Sequence, residues 1–324
     1  MTRQDMTQQP PFLTSAAQME QIAQQQQQQQ QRFQLRTNAE LIQIARNRPP
    51  ELISGFVPSS GVMVLAGAPG TGKSFTALSW AAAIAEGSQW FGRAARQAPV
   101  VYILGEGFSS FGERVEAWQT VNGRPMSDNL RYLDGSTSGI NLKDPYLVQQ
   151  LIEGISHVQP GLIVFDTLSV LTRLDSENDN AEVSQVMSNV NTIAQTTGAT
   201  AMVIHHTTKT SGSVRGASAF VGNADTVVVA AKEKNEGNTA TSTFLLSTSA
   251  QHGGKQRSGE PKMMSGFSIA APGVLAHGSN SKSSNGNSST APTDPNAADL
   301  KQRLIAGART ANKRLEEQKE EQDS

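Results

Sequence analysis

The most constraining feature of this sequence is the segment GAPGTGKS, which runs from Gly67 to Ser74. It matches the pattern G-x-x-x-x-G-K-[ST], directly follows a short apolar run at Val62–Ala66 and directly precedes an Ala-rich segment at Phe75–Glu86. In that context the glycines let backbone N–H groups turn toward a phosphate, and the helix N-terminus adds positive partial charge. The segment therefore predicts a strand, a phosphate-binding loop (P-loop) and a helix in succession.

The same segment supplies candidate residues for binding a nucleotide and a metal ion. Lys73 would contact the β- and γ-phosphates, and the Ser74 hydroxyl would hold Mg²⁺. A nucleotide and Mg²⁺ are therefore the predicted ligands of this segment. The nucleotide would be surrounded by Gly67, Ala68, Pro69, Gly70, Thr71, Gly72, Lys73, Ser74 and Phe75.

Apolar runs and helical segments alternate between residues 62 and 204. Alternation of this kind predicts a largely parallel sheet with helices on both faces. The strands are predicted at Val62–Ala66, Val100–Leu104, Arg131–Leu133, Leu162–Phe165 and Thr200–Ile204. The helices are predicted at Phe75–Glu86, Phe111–Val121, Pro145–His157 and Ala181–Thr197.

After residue 224 the alternation stops, because three strand-like stretches follow one another and no helix is predicted between them. The stretches are ADTVVVAAKE, TSTFLLSTSA and SGFSIAA. We expect them to be antiparallel additions at one edge of the sheet. The whole pattern predicts an α/β fold, with a mostly parallel sheet flanked by helices and antiparallel edge strands.

Composition divides the chain into four segments. Residues 1–36 form a Gln-rich N-terminal arm, which we expect to be flexible because it offers little apolar surface to bury. Residues 37–272 form the predicted core, which begins with a short helix and a Pro-broken loop. Residues 273–296 have the composition of a flexible Ser/Asn linker, and residues 297–324 that of a charged C-terminal helix or tail.

The net charge of the chain is −1, and the chain contains no cysteine. Disulfides and cysteine-type zinc sites are thus excluded, and nucleic acid could be bound only through a local patch or loop. No apolar run approaches the roughly 20 residues that span a bilayer. The N-terminus also lacks an apolar signal core, so we expect a cytoplasmic protein with no membrane partner.

Two carboxylates follow predicted buried strands at the edge where open α/β sheets bind ligands. Asp166 is the second candidate for the metal side of the site, where it would bind Mg²⁺ through water. Thr167 follows it, so no second carboxylate is adjacent. Glu106 ends another strand, between Gly105 and Gly107, and we predict that it orients and deprotonates the attacking water.

Five stretches in a fixed order resemble P-loop proteins of the RecA type: GAPGTGKS, VYILGEG, LIVFDTLS, VIHHTTK and VRGASAFVGNADTVV. The RecA type places the glutamate and the aspartate on separate strands, whereas the AAA+ type places them side by side. The set is most similar to the RepA-type hexameric replicative helicases of plasmids and phages, relatives of the DnaB helicases. The resemblance covers about residues 60–230 and the strands to about residue 271.

This resemblance implies a RecA-like P-loop NTPase core that hydrolyses ATP. It also implies a homo-oligomer, with a hexameric ring as the expected form, that acts on single-stranded DNA in replication. His205 and His206, which end a predicted strand, would then sense the γ-phosphate. Metal binding by the pair is disfavoured, because neighbouring strand residues point to opposite faces.

Three cations are candidates for a finger, meaning a charge that a neighbouring subunit supplies to the nucleotide. Lys255 and Arg257 have the K-x-R spacing of the DnaB-type finger, and Arg215 matches the RepA-type position. A finger can speed phosphoryl transfer by roughly 10³–10⁵-fold. Hydrolysis would then need an oligomer.

Two loops are candidates for contact with DNA. Residues 207–214 are rich in Thr, Ser and Gly and contain Lys209, so backbone N–H groups, hydroxyls and one cation could follow phosphates. Residues 172–182 contain Arg173 but also four acidic residues, which argues against tight phosphate contact. Neither loop contains an aromatic residue for base stacking.

Two other functions fit the same residues. One is a phage RecA-like recombinase or annealing ATPase that forms filaments on single strands. The other is an ATP-switched loader or regulator that docks a replication protein through its tails. The Gln-rich arm and the C-terminal helix would suit the second function.

Overall fold

The computed structural model describes residues 35–172, 179–206, 217–233, 243–257, 260–271 and 274–277. The contacts along the chain divide it into two units, Met1–Pro49 and Pro50–Ser324. The sequence placed the start of the core at residue 37, so the first helix of the predicted core falls in the smaller unit.

The described part of the first unit is helix α1 (Asn38–Arg46), which confirms the short helix predicted there. A capping box begins it: the Thr37 side chain accepts from Glu40 N, and the Glu40 carboxylate accepts from Thr37 N at 2.8 Å. No residue of α1 is buried, and Leu41 and Ile44 are 61% and 54% exposed.

The described part of the second unit contains a ten-stranded sheet, in the order β10-β9-β7-β6-β1-β5-β4-β2-β3 with β8 against β6. The strands are β1 (Gly61–Gly67), β2 (Val100–Leu104), β3 (Leu130–Asp134), β4 (Leu162–Asp166), β5 (Thr200–His206), β6 (Thr226–Lys232), β7 (Phe244–Ser247), β8 (Lys255–Gln256), β9 (Met263–Ala271) and β10 (Val274–His277). The helices are α2 (Lys73–Glu86), α3 (Phe108–Asn122), α4 (Pro145–Ser156), α5 (Leu168–Thr172), α6 (Asn180–Thr197), α7 (Ala217–Asn223) and a 3₁₀ helix at Ala250–His252.

The predicted parallel sheet is confirmed for β3, β2, β4, β5 and β1. The expectation that every strand after residue 224 is antiparallel was wrong for β6, which pairs parallel with β1. The chain between β5 and β6 contains α7, and a crossover of this kind is what a parallel neighbour requires. Antiparallel pairing begins with β7.

Two further expectations about the C-terminal strands were wrong. Residues 274–277 were assigned to a flexible linker, yet they form β10, which pairs with β9 and buries Val274 and Leu275. The 3₁₀ helix after β7 also lies in a stretch where no helix was expected. In both places a short segment takes its structure from pairing or capping by neighbouring residues, and a segment of that length has little periodicity to detect.

Both faces of the sheet are covered. Met63 and Leu65 of β1 pack in one buried cluster with Trp80 of α2, while Val64 packs in a second cluster with Val186 of α6. Burying each such side chain contributes about 1.5–3 kcal/mol, so the sheet is a rigid support for the groups at its edge. None of the helices in the described ranges is long and apolar enough to cross a bilayer.

Candidate nucleotide site

The P-loop, the two predicted carboxylates and the two predicted sensor histidines lie at the carboxyl edge of the parallel strands. Gly67, where the P-loop begins, lies beside His206 at the end of β5. Asp166 at the end of β4 pairs with Leu104 at the end of β2. One residue further, Gly105 N donates to Asp166 O at 2.8 Å, which joins the strand ends that carry the two predicted carboxylates.

The P-loop turns sharply into α2 at Gly72, whose φ is 73°. A side chain there would be strained, since L-residues rarely adopt that conformation, and a Cβ would lie 2.6 Å from the Phe244 ring. Within the loop, the Thr71 hydroxyl donates to Ala68 O at 2.8 Å. The loop is thus fixed by its own hydrogen bonds and by β7.

Lys73 is buried at the base of the P-loop. Its Nζ donates to Gly67 O at 2.8 Å and to Ala68 O at 3.0 Å. Burial lowers the pKa of Lys73 to about 8, while the nearby charge of Asp166 acts in the opposite direction. The ammonium is therefore held beside the loop backbone, where the P-loop pattern requires a partner for phosphate oxygens.

Asp166 accepts hydrogen bonds on both of its carboxylate oxygens. Ser74 Oγ donates to Oδ1 at 3.2 Å, and Tyr102 OH donates to Oδ2 at 2.8 Å. Burial raises the pKa of Asp166, and these two hydrogen bonds and the charges of Arg114 and Lys73 oppose that rise.

A hydroxyl and a carboxylate are hard oxygen ligands, and Ser74 and Asp166 present them side by side. Mg²⁺ is usually held by one or two carboxylates together with substrate phosphates and water. No cluster of three or more His, Cys, Asp or Glu side chains occurs in the described ranges, so they contain no cage made of such side chains alone. The residues at the P-loop therefore fit Mg²⁺ bound together with a nucleotide.

Glu106 is exposed in the short turn that leads from β2 to α3. Gly107 follows it with a φ of 65° and precedes the first residue of α3, which begins three residues earlier than predicted. The carboxylate is thus open to solvent at the same strand edge as Asp166. Its predicted role as the base is compatible with that position and stays a prediction.

The two histidines that end β5 have different surroundings. His205 is buried and packs on Phe220 of α7, with ring centroids 4.1 Å apart. His206 is half-buried and lies beside the first glycine of the P-loop. Of the pair, His206 is nearer in register to the loop, and the sensor role predicted for both stays a prediction.

Lys255 and Arg257 lie at the opposite edge of the sheet. β8 pairs with the beginning of β6, and Arg257 forms an ion pair at 2.9 Å with Asp225, which also accepts from Val62 N. Val62 and Gly67 are five positions apart along β1, which corresponds to roughly 17 Å at the usual rise. Arg257 therefore cannot reach the P-loop of its own chain.

Lys255 is engaged with α7. Its Nζ donates to Val221 O at 2.7 Å and to Gly222 O at 3.2 Å, which satisfies carbonyls at the helix C-terminus. A finger role for Lys255 would require these bonds to break, whereas Arg257 is half-exposed at its ion pair. The third finger candidate, Arg215, lies outside the described residues.

A protein-family model described as an AAA domain matches residues 27–212. The chain belongs to this family. The matched range contains the P-loop, Glu106, Asp166 and both histidines. No curated protein sequence matches the chain.

Among solved structures, an ATPase domain is similar in fold, with a TM-score of 0.52 and 13% identity over 74% of this chain and 95% of that one. A KaiC-like protein from the archaeon Pyrococcus horikoshii OT3 shares 17% identity over 69% of this chain and 92% of that one, with a TM-score of 0.45. The predicted RecA-like fold class is confirmed. The chain belongs to the AAA domain family and has a RecA-like P-loop fold, in which the two predicted carboxylates lie at the ends of separate strands.

The two loops predicted to contact DNA lie mostly outside the described residues, and so do Lys209 and Arg173. Two of the four acidic residues that argue against phosphate contact lie in the described ranges. Asp179 caps α6 by accepting from two backbone N–H groups, and Glu182 is paired with Lys143. Both acids thus have partners within the chain.

Two residues at the site were missed by sequence reasoning. Tyr102 looks like an ordinary apolar strand residue, and its contact with Asp166 depends on the register between β2 and β4. Arg114 of α3 lies 5.2 Å from the Phe75 ring centroid and its charge acts on Asp166. A cation eight positions after Glu106 was the available signal for Arg114, but no pattern linked it to the P-loop.

Proposed function

We propose that this chain hydrolyses ATP as an oligomeric motor on single-stranded DNA, in the manner of the RepA-type hexameric DNA helicases of plasmid and phage replication. One observation carries the oligomeric part. The P-loop and Glu106 lie at one edge of the sheet, while Lys255 and Arg257 lie at the other. A chain arranged in this way can bring Arg257 to a nucleotide only with a second copy.

The proposed chemistry follows from the groups at the carboxyl edge. Lys73 and the loop backbone bind the phosphates, and Ser74 and Asp166 hold the metal side. Bound Mg²⁺ would neutralise phosphate charge as the terminal phosphoryl group leaves. Glu106 is open to solvent and accepts the proton of the attacking water.

Arg257 would supply a positive charge from a neighbouring chain, in addition to the charges of Lys73 and Arg114 at the site. Its side chain is more than half exposed, and its partner Asp225 sits at the amino edge of the strands. In a closed ring each subunit presents this edge to the P-loop of the next subunit. The two edges of one sheet would then serve two successive nucleotides.

The DNA-binding part of the proposal depends on the sequence of residues 207–214, which directly follow β5. Movement of His206 on loss of the γ-phosphate would be passed directly to this loop. Its hydroxyls, backbone N–H groups and Lys209 would contact phosphates rather than bases, so binding should have little sequence preference.

Two measurements test this function together. Steady-state ATP hydrolysis should increase when single-stranded DNA is added. Electron microscopy with a non-hydrolysable ATP analogue and single-stranded DNA should show closed rings. Continuous filaments would favour the recombinase, and hydrolysis that is indifferent to DNA would favour the loader or regulator.

One observation favours the loader or regulator as a second candidate. Helix α1 has no buried residue, and it exposes Leu41, Ile42 and Ile44. Apolar side chains exposed together on one short helix are typical of a segment that docks a partner. A replication protein bound through this unit would fit a role in which ATP controls the partner rather than strand movement.

A further inference from the structure

The hydroxyl of Tyr102 is a buried polar group with a defined target. Tyr102 is fully buried on β2, and its hydroxyl donates to Asp166 Oδ2 at 2.8 Å. Within the proposed mechanism, Asp166 holds the metal side of the site, and Tyr102 has no role. A buried hydroxyl needs a hydrogen-bond partner, because leaving it without one costs about 1–3 kcal/mol. For Tyr102 that partner is the carboxylate of Asp166.

The ring of Tyr102 is held on several sides. It packs against Phe111 of α3 at 5.0 Å and against Tyr132 of β3 at 6.1 Å between centroids. Its backbone pairs with Val164, two residues before Asp166 on the neighbouring strand. The Tyr102 hydroxyl is therefore fixed in position, and the Asp166 carboxylate takes the orientation in which Oδ2 accepts from it.

The two oxygens of Asp166 then have separate donors. Tyr102 takes Oδ2, which leaves Oδ1 directed toward Ser74 Oγ at 3.2 Å. Hydrogen-bond partners of the groups that hold a metal fix the orientation of those groups, and removal of such partners typically lowers metal affinity by about 10–100-fold. We propose that Tyr102 is a positioning residue, which turns Asp166 Oδ1 toward the metal side of the nucleotide site.

This inference rests on the proposed ATPase site and adds to it a residue on a different strand. Tyr102→Phe is the informative change, because it removes one oxygen and keeps the ring that fills the core. Tyr132→Phe is the matched control: Tyr132 belongs to the same aromatic cluster, but its hydroxyl donates to Met126 Sδ at 3.2 Å. Both changes delete one phenolic oxygen, and only the first removes a donor from Asp166.

The test is a titration of Mg²⁺ into full-length protein with a fluorescent ATP analogue, read as nucleotide binding. For Tyr102→Phe we expect a rise of about 10-fold or more in the Mg²⁺ concentration that gives half of the maximal increase in nucleotide binding. Affinity for the analogue in EDTA should match wild type. Tyr132→Phe should match wild type in both measurements.

Three outcomes would overturn the inference. They are an unchanged Mg²⁺ requirement in Tyr102→Phe, an equal loss of nucleotide affinity with and without Mg²⁺, and an equal shift in Tyr132→Phe. Failure of the proposed function looks different, since wild-type protein would then bind no nucleotide or show no Mg²⁺ dependence. A thermal unfolding curve for each variant shows whether an equal loss of nucleotide affinity with and without Mg²⁺ comes from misfolding.

Discussion

Ser74 and Asp166 are 92 positions apart in the chain, yet Ser74 Oγ donates to Asp166 Oδ1 at 3.2 Å. The bond joins the first turn of α2 to the end of β4, which is separated from β1 in the sheet by β5. A hydroxyl and a carboxylate brought together at this point form one unit on the metal side of the proposed site. The unit is the basis of the first prediction.

Ser74→Ala should weaken the effect of Mg²⁺ on nucleotide binding more than it weakens nucleotide binding itself. The change removes a ligand atom and a donor to Asp166, so the half-saturating Mg²⁺ concentration should rise by at least about 10-fold. Titration of Mg²⁺ against a bound fluorescent nucleotide measures this. An unchanged Mg²⁺ requirement would remove Ser74 from the metal side.

Substitution of Thr76, two residues further along α2, should raise the stability of the protein and leave nucleotide binding unchanged. Thr76 Oγ1 is buried without a hydrogen-bond partner. Thr76→Val keeps the shape and removes the unsatisfied hydroxyl, so the free energy of unfolding should rise by about 1 kcal/mol. Denaturant unfolding measures the gain, and unchanged nucleotide binding would make this variant a control for Ser74→Ala. A lower stability would show that Oγ1 has a partner after all.

Glu106→Gln should leave ATP binding intact and abolish turnover. The amide keeps the size of the side chain but cannot accept the proton, and general base catalysis typically contributes roughly 10²–10⁴-fold. Glu113→Gln, which changes a glutamate on α3, is the matched control and should keep wild-type turnover. Retained turnover in Glu106→Gln would transfer the base role to another group.

Lys73→Ala and Arg257→Ala should each be inactive alone and recover some activity when mixed. Mixed oligomers contain interfaces that pair an intact Lys73 with an intact Arg257, because the two residues lie at opposite edges of the sheet. Arg131→Ala, an exposed arginine on β3, should retain activity without mixing. Lack of recovery at every mixing ratio would rule out Arg257 as the finger in trans.

The sequence was sufficient to predict where those candidate residues lie whose position depends on local pattern. Gly67–Ser74 matches a motif whose spacing is set by phosphate geometry, and Asp166 and Glu106 follow apolar runs with the length of a strand. Parallel strands end at one edge, so their placement together followed from the alternation of strands and helices. These inferences needed no knowledge of long-range contacts.

The remaining features depend on pairing between distant segments, which leaves little trace in local sequence. Tyr102 meets Asp166 only because β2 and β4 pair in one register. Residues 274–277 are too short to show periodicity and gain their burial from β9. The parallel orientation of β6 depends on α7, a seven-residue helix that the sequence analysis did not identify.

The most direct test of the account is ATP hydrolysis by full-length wild-type protein, measured with and without single-stranded DNA of mixed sequence. The same measurement on Glu106→Gln gives the rate of any ATP hydrolysis that does not depend on Glu106. We predict Mg²⁺-dependent hydrolysis that single-stranded DNA stimulates in wild type, and none in Glu106→Gln under either condition. Hydrolysis that is equal with and without DNA, or equal in the two proteins, would contradict the proposal of a DNA motor that uses Glu106.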